Sequence, residues 1–216
     1  MSRFSRFSPV KQVVALPGGD LCIWHPPDMD GLIDEAAFRS DERLPYWATV
    51  WDSAIVLAEC LASERGHGRS LVEVGCGLGL PSLVAARQHF TVTATDYEPA
   101  ALDGVRFNAK ANGFEEQIET KLFDWRDSTK LTRRFDFMIA SDVLYEPCHA
   151  AAIAAVIHDC LATDGVALVA DPGRVHAEGF ETACKRYGLF AKRKPARRPY
   201  GRNDGPEISV FNVNRS

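Results

Sequence analysis

Residues 71–81 read Leu-Val-Glu-Val-Gly-Cys-Gly-Leu-Gly-Leu-Pro, and this stretch decides the fold of the chain. Leu71 to Val74 are typical of a buried parallel strand, the alternating glycines of a tight turn, and Leu80 to Gln88 of the helix that follows. Because glycine lacks a Cβ atom, a ligand can come close to the backbone of such a turn. The unit predicts a doubly wound, mostly parallel α/β fold, in which ligands bind beyond the carboxyl ends of the strands.

The glycine spacing argues against two common ligand loops. The dinucleotide fingerprint is G-x-G-x-x-G, whereas Gly75, Gly77 and Gly79 stand two apart and Leu80 occupies the place of the third glycine. The sequence also lacks the phosphate loop G-x-x-x-x-G-K-[ST]. A pyrophosphate or triphosphate cradle is therefore not predicted.

An acid at the tip of the next predicted strand points to a ribose. Residues 90–96 read Phe-Thr-Val-Thr-Ala-Thr-Asp, a β-branched run that ends on Asp96. A carboxylate there can accept hydrogen bonds from both hydroxyls of a ribose. The alternative is that Asp96 only caps the helix that begins near Glu98. The agreement of strand, glycines and acid favours the ribose.

Two further strands end on residues suited to binding. Residues 117–123 alternate like a strand and lead to Asp124 and Trp125, which could accept from the exocyclic amine of an adenine and pack on its face. The alternative is a turn residue followed by a partly buried tryptophan. Phe137 to Ala140 form a continuous apolar strand with Asp142 at its mouth, where a second substrate is expected.

An aromatic segment, Leu44-Pro-Tyr-Trp-Ala-Thr-Val-Trp51, precedes a predicted helix that Asp52 or Ser53 would cap. Core packing is an equal explanation for Tyr46 and Trp47, whereas Trp51 is the better candidate for a functional role. Near the other end of the chain, residues 185–202 are basic, and 207–213 predict a last antiparallel strand that pairs near Leu189. The basic residues could steer an acidic partner or form a solvated hairpin tip.

Composition limits the possible classes of protein. The 216 residues, 46% of them hydrophobic, suit one globular unit over 44–216. Before it, residues 11–16 and 21–24 flank Pro17-Gly-Gly-Asp20 as strands flank a turn, which predicts an N-terminal hairpin and connecting segment over 1–43. A net charge of −4 argues against nucleic acid as partner, and no apolar run is long enough to span a membrane. The six scattered cysteines form no C-x-x-C pair, which predicts a reducing, cytoplasmic location and no metal site.

Four motifs together resemble those of the class I, seven-β-strand methyltransferases that use S-adenosylmethionine (AdoMet), and especially the group that modifies lysines of non-histone proteins. They are Leu44-Pro-Tyr-Trp-Ala with Trp51, Glu73-Val-Gly-Cys-Gly-Leu-Gly, Phe123-Asp-Trp125 and Ser141-Asp-Val-Leu-Tyr145-Glu. The last contains the group's D-x-x-Y motif, and Asp171-Pro-Gly-Arg174 resembles the branch that acts on the electron-transfer flavoprotein β subunit. The similarity spans about residues 44–175 and implies a seven-stranded Rossmann-like sheet with helices on both faces.

The resemblance implies a role for each matched residue. Asp142 and Tyr145 would be the catalytic residues of the acceptor pocket. The cofactor-binding residues would be Trp51 against the cofactor, Glu73, Gly75, Gly77 and Gly79 at its amino-acid end, Asp96 at its ribose, Asp124 and Trp125 at its adenine, and Ser141. The acceptor would be a lysine of a protein, and the product S-adenosylhomocysteine (AdoHcy). Asp52-Ser53 stands where relatives often carry Pro with a small residue, so the turn after Trp51 can differ.

Alternatives to lysine methylation remain open. Enzymes that methylate exocyclic amines of bases typically carry Asn/Asp-Pro-Pro-aromatic after the fourth strand, and residues 141–145 contain no proline. Pro147-Cys148 has the composition of a cytosine-C5 nucleophile but lies beyond Glu146, where a helix is expected to begin. A small-molecule N-methyltransferase is the main alternative. A non-catalytic AdoMet-binding protein is another, although the intact glycines and acids argue against it.

Overall fold

The strands form two sheets in a computed structural model that describes residues 3–32 and 44–215. The strands are β1 (Val10–Val14), β2 (Leu21–His25), β3 (Ser70–Val74), β4 (Thr91–Asp96), β5 (Ile118–Leu122), β6 (Phe135–Ser141), β7 (Leu161–Asp171), β8 (Leu189–Arg193) and β9 (Ser209–Arg215). The α-helices of the described residues are α1 (Asp52–Leu61), α2 (Leu80–Arg87), α3 (Pro99–Ala111), α4 (His149–Cys160) and α5 (Phe180–Arg186). Short 3₁₀ helices span Arg3–Phe7, Asp30–Leu32, Tyr46–Ala48, Ser128–Lys130 and Val175–Gly179.

The larger sheet has seven strands in the order β5-β4-β3-β6-β7-β9-β8. The first five are parallel to one another, while β9 is antiparallel to both β7 and β8. This topology confirms the predicted doubly wound sheet, including the pairing of the last strand with the segment near Leu189. The chain leaves β5 at one edge and returns to β6 beside β3, so a crevice opens beyond the carboxyl ends of β3 and β6.

The core lies in two layers because alternate strand residues face opposite sides of the sheet. Leu71 and Leu168 pack with α1, α2 and α3 on one face, and Val72 and Val169 pack with α4 and α5 on the other. The strands are thus buried on both sides, as the apolar runs in the sequence predicted. This burial fixes the strand ends from which the site loops emerge.

The predicted N-terminal hairpin is β1 and β2, paired from Val10 with His25 to Val14 with Leu21. Two asparagines of α3 fasten it: Asn108 Oδ1 accepts the Trp24 backbone N–H at 2.7 Å, and Asn112 Oδ1 accepts that of Cys22 at 3.1 Å. The hairpin therefore rests on the helix that follows Asp96. In the predicted connecting segment, residues 33–43 lie outside the described residues.

The predicted cap of α1 is wrong. The helix begins at Asp52, so Trp51 is the N-cap residue and no side chain caps the first turn. The Asp52 carboxylate pairs instead with Arg202, and the Ser53 hydroxyl is buried without a hydrogen-bond partner among the described residues. An acid in the first turn still interacts favourably with the helix dipole.

Candidate active site

The crevice beyond β3, β4 and β6 holds a cavity of about 340 Å³, within the usual range for small-molecule sites. Most of the residues predicted for the site line this cavity. They are Trp51, Gly75, Gly77, Gly79, Asp96, Trp125, Ser141, Asp142 and Tyr145. Glu73 and Asp124 do not belong to the lining.

The glycine turn after β3 forms the floor of the cavity. Gly75, Gly77 and Gly79 have φ angles of 71°, 50° and 81°, a backbone region that residues with a Cβ atom rarely adopt. A Cβ atom on Gly75 would lie 2.8 Å from Cζ3 of Trp125, and one on Gly77 would lie 3.3 Å from the backbone oxygen of Trp47. The turn therefore depends on glycine both for its conformation and for its close packing.

Asp96 lies at the end of β4 and does not cap α3, because Glu98 is the N-cap residue and its Oε1 accepts the Ala100 N–H at 3.2 Å. Its Oδ1 accepts the Glu98 backbone N–H at 3.0 Å, before α3, and its Oδ2 accepts the Gly77 N–H at 2.9 Å. The carboxylate also lines the cavity, where each oxygen can accept a further hydrogen bond. Burial raises the pKa of Asp96 to about 6, so the group is mostly ionised at neutral pH.

Glu73 contacts the helix that follows the glycine turn. Its Oε2 accepts the backbone N–H of Ser82 at 3.0 Å and the Ser82 hydroxyl at 2.5 Å, in the first turn of α2. This satisfies an N–H group that the helix itself leaves unpaired. The side chain is 1% exposed, and burial raises its pKa to about 8. The Glu73 carboxylate therefore contacts α2 and does not belong to the cavity lining.

Of the predicted adenine pair, only Trp125 has its side chain in the cavity wall. The indole is 6% exposed, lies beneath Gly75 and makes an edge-to-face contact with Tyr97 at 6.1 Å. The Asp124 carboxylate is held by the guanidinium of Arg126, with Oδ2 accepting from Nη2 at 2.7 Å. This ion pair engages the Asp124 carboxylate outside the cavity lining.

An aromatic rim borders the end of the cavity nearest Asp142. The Trp51 indole donates to the backbone oxygen of Tyr46 at 2.9 Å, and the Tyr46 ring meets that of Tyr145 at 5.9 Å. His149 packs edge-on behind Tyr145 at 4.5 Å. Burial raises the pKa of Tyr145 and lowers that of His149, so both rings are uncharged near neutral pH.

Asp142 is held in an unusual backbone conformation at the mouth of β6. Its φ of 59° is in the left-handed region, and its N–H donates to the backbone oxygen of Ala170 at 3.0 Å. The Arg174 guanidinium donates from Nε to Asp142 Oδ1 at 2.6 Å. Arg174 itself lines the cavity, so this end of the cavity contains both the Asp142 carboxylate and the guanidinium that pairs with it.

Residues 38–180, about two thirds of the chain, match the family model described as lysine methyltransferase. The chain belongs to this lysine methyltransferase family. Protein N-lysine methyltransferase METTL21A of Xenopus tropicalis is 33% identical over 109 residues, which cover 48% of this chain and 50% of the relative. EEF1A lysine methyltransferase 3 of Mus musculus is 30% identical over 125 residues, covering 55% and 53%. The chain thus spans about half the length of the curated relatives it matches.

Solved structures support the fold of this family member. A TehB-like SAM-dependent methyltransferase from Corynebacterium glutamicum superposes with a TM-score of 0.57 at 19% identity, covering 84% of this chain and 97% of that one. At that identity the likeness shows the fold alone. It confirms the predicted Rossmann-like methyltransferase architecture.

AdoMet is the methyl donor that the lysine methyltransferase family and its fold imply. The residues present fit this cofactor. A turn without Cβ atoms leaves room for the ligand, the buried Asp96 carboxylate can accept from ribose hydroxyls, and the Trp125 indole offers an apolar wall.

Several lining residues of this family member were not predicted for the site, among them Trp47, Tyr97, Glu98 and Arg174. Tyr97 and Glu98 follow Asp96 directly, so their place after a parallel strand was a usable signal. The position of Arg174 after β7 was also visible in the sequence. The contact between Arg174 and Asp142 was not visible in the sequence, because the two residues lie on different loops and are 32 positions apart.

Two further observations concern predicted absences. Within the described residues, no helix is long and apolar enough to cross a membrane. Glu146, Cys148 and His149 bring potential metal-ligating atoms within 4.8 Å of one another, next to Tyr145. The scattered cysteines of the sequence predicted no metal site. The three residues of this group lie within four positions of one another in the sequence.

Three arginines of the basic segment 185–202 form ion pairs within the chain. Arg197 pairs with the Glu59 carboxylate of α1, and Arg202 pairs with Asp52. Arg198 donates to Glu207 at 2.8 Å. The Arg197 and Arg202 pairs fasten the β8–β9 loop to α1, the helix that follows Trp51, whereas the Arg198 pair joins two residues of the loop itself.

Proposed function

We propose that this protein transfers methyl groups from AdoMet to a lysine side chain of a protein substrate and releases AdoHcy. One observation carries the proposal: the predicted acceptor residues Asp142 and Tyr145 line the same cavity as the glycine turn and Asp96. Membership of the lysine methyltransferase family supports the acceptor class.

The proposed cofactor residues divide into two kinds. Trp51, Gly75, Gly77, Gly79, Asp96, Trp125 and Ser141 contact the cofactor. Glu73 acts through Ser82 and the start of α2, and Asp124 acts by holding the turn that presents Trp125. The division is supported by which of these residues line the cavity.

AdoMet supplies an electrophilic methyl group on a positively charged sulfur. The acceptor must be a neutral amine, because its nitrogen lone pair forms the new N–C bond while the C–S electron pair leaves with a neutral thioether. Asp142 and the Tyr145 oxygen accept hydrogen bonds from the amine and aim its lone pair at the methyl carbon. Catalysis then rests mainly on alignment, since the leaving group needs no proton.

An unperturbed lysine has a pKa near ~10.4, so the site must favour its deprotonated form. Desolvation by the Tyr46, Trp51 and Tyr145 rim lowers the pKa of an entering ammonium group. The partly buried Tyr145 contributes a neutral phenol rather than a phenolate, because burial raises its pKa. Its oxygen can therefore accept a hydrogen bond without attracting a proton.

We further propose that an acidic surface of the substrate docks on part of the basic segment 185–202. Lys185, Arg186, Lys192 and Lys194 are exposed on this segment, whereas Arg197, Arg198 and Arg202 are paired internally. A cytoplasmic location is also proposed, supported by the six cysteines, which are all unpaired thiols.

The test is to incubate the purified protein with methyl-labelled AdoMet and an extract of its host cell. Wild-type protein and Asp142→Asn are compared, and the products are treated with protease or nuclease. A discrete protease-sensitive band that depends on Asp142 is the expected result. Label confined to small molecules would favour the small-molecule alternative, and nuclease-sensitive label would refute the protein acceptor.

A further inference from the structure

The cation beside the proposed acceptor site is the least expected feature of the cavity. Arg174 Nε and Nη2 both point at Asp142 Oδ1, at 2.6 and 2.5 Å. The Asp142 side chain is 8% exposed. Among the described residues, no hydrogen bond or ion pair is found to its second oxygen, Oδ2. One carboxylate oxygen is thus occupied by the protein and the other is left for a ligand.

The loop after β7 is built to hold Arg174 in this place. Asp171 Oδ1 accepts the backbone N–H groups of Gly173 and Arg174 at 2.7 and 2.8 Å, and Gly173 takes a left-handed φ of 85°. Asp171 is 1% exposed, and β7 pairs directly with β6 beside Asp142. The two loops are therefore fixed relative to each other by the sheet as well as by the ion pair.

We propose that Arg174 is a positioning residue that fixes the Asp142 carboxylate and makes the acceptor end select the neutral form of the lysine amine. This inference rests on the function proposed above and adds a residue and a physical role to it. An unpaired Asp142 would stabilise the ammonium form, because an opposite charge favours protonation of an amine. The guanidinium opposes that effect while leaving Oδ2 able to accept an N–H of the amine.

Other titratable groups lie near the Asp142–Arg174 pair, and their titration must be distinguished from that of the acceptor amine. They are Asp171 at the end of β7, Tyr145, Glu146 and His149 after β6, Asp96 at the end of β4 with Tyr97 and Glu98 after it, and Tyr46 before α1. The pKa of Asp96 is about 6 and that of Tyr145 is raised above its usual range. Titration of Asp96 therefore affects the acid side of a rate profile in every variant, and the alkaline region from pH 7 to 10 reports the amine.

The experiment compares wild type, Arg174→Met and Arg174→Lys with the acceptor protein identified by labelling, purified and saturating, so that kcat reports the bound amine. For Arg174→Met we expect roughly thirtyfold lower kcat at pH 7 and a profile displaced by about one pH unit to the alkaline side, so that the deficit narrows to roughly threefold near pH 10, the part due to lost positioning. Arg174→Lys keeps the charge, so its kcat is lower by roughly threefold but its profile stays in place. AdoHcy affinity and melting temperature are measured on each variant.

A kcat of Arg174→Met that is reduced by the same factor at every pH, or not reduced at all, would overturn the role of Arg174. A displaced profile for Arg174→Lys equal to that of Arg174→Met would do the same. If wild type methylated no protein in the same assay, the proposed function would fail instead. The two failures are distinguished by the wild-type reaction alone.

Discussion

The two halves of the cavity are built in different ways. The proposed cofactor half consists of the Gly75–Gly79 turn, Asp96 and Trp125, and in it the Asp96 carboxylate accepts a backbone N–H of the turn. The proposed acceptor half consists of Asp142, Tyr145 and Arg174, and in it a side-chain contact joins two loops. The first half follows from one strand-turn-helix unit and its neighbour, while the second exists only when β6 and β7 lie side by side. The halves should therefore be separable by mutation.

The largest effect is expected from Asp142→Asn, which removes a charge from the acceptor half. The amide cannot accept from the amine as a carboxylate does, and it leaves Arg174 unpaired. Methyl transfer should fall by roughly a hundredfold or more, the loss expected when a reacting group is misaligned. AdoHcy affinity, measured by calorimetry, should stay within about threefold of wild type. A comparable loss of both quantities would show that the halves are not separate.

Gly75→Ala should damage the cofactor half. Its Cβ atom would lie 2.8 Å from the Trp125 ring and 3.0 Å from Val143, in a backbone conformation that favours glycine. Overpacking of this kind costs about 2 kcal/mol, so AdoHcy should bind roughly thirtyfold more weakly. Gly113→Ala is the matched control, since Gly113 has a φ of 77° with nothing within 4 Å of the added atom. Equal AdoHcy affinity in the two variants would refute the close-packing argument.

The two halves of the cavity also differ in how far the sequence could predict them. The glycine turn and Asp96 were predictable because adjacent strands of a parallel sheet bring them together by local rules. Glu73 is not in the lining, and its contact with Ser82 could not be predicted, because Ser82 lies beyond the glycines and only the folded helix brings it near. Asp124 is not in the lining either, and the sequence does not show its ion pair with Arg126. Arg174 was missed as a partner of Asp142 because no spacing rule links the two loops.

A smaller effect on the cofactor half is expected from Asp96→Asn. Loss of a charged acceptor for ribose hydroxyls should weaken AdoHcy binding about tenfold at pH 7.5. In wild type the affinity should also fall as pH drops below about 6, because the bound hydroxyls favour the ionised carboxylate, which has a pKa of about 6 in the free protein. The variant should lack that pH dependence. A wild-type affinity that is constant from pH 7.5 to 5 would contradict the ribose role.

The smallest effect on ligand binding is expected from Glu73→Gln, with AdoHcy affinity changed less than about threefold, because Glu73 acts only from behind the turn. Its stability effect is larger. The folded chain keeps the Glu73 proton up to about pH 8, whereas the unfolded chain loses it near 4.5. The folded state thus binds more protons between these values, and its free energy of unfolding falls as pH rises.

Removing that ionisable group should stabilise the variant relative to wild type at pH 8 by a few kcal/mol, on the order of 4 at most, and hardly at all at pH 5. Denaturant unfolding at both pH values measures the difference. Glu115→Gln, at an exposed position, is the control and should show no such trend. A Glu73→Gln variant that is equally stabilised or destabilised at both pH values would show that Glu73 is not protonated in the fold.

The central claim is that the acceptor half presents a lysine amine to AdoMet bound in the cofactor half. The most direct measurement is amino-acid analysis of protein labelled by wild type and by Asp142→Asn, each shown beforehand to bind AdoHcy. The account predicts labelled methyllysine from wild type and almost none from the variant. Label recovered as methylarginine or another residue, or equal methyllysine from both proteins, would contradict it.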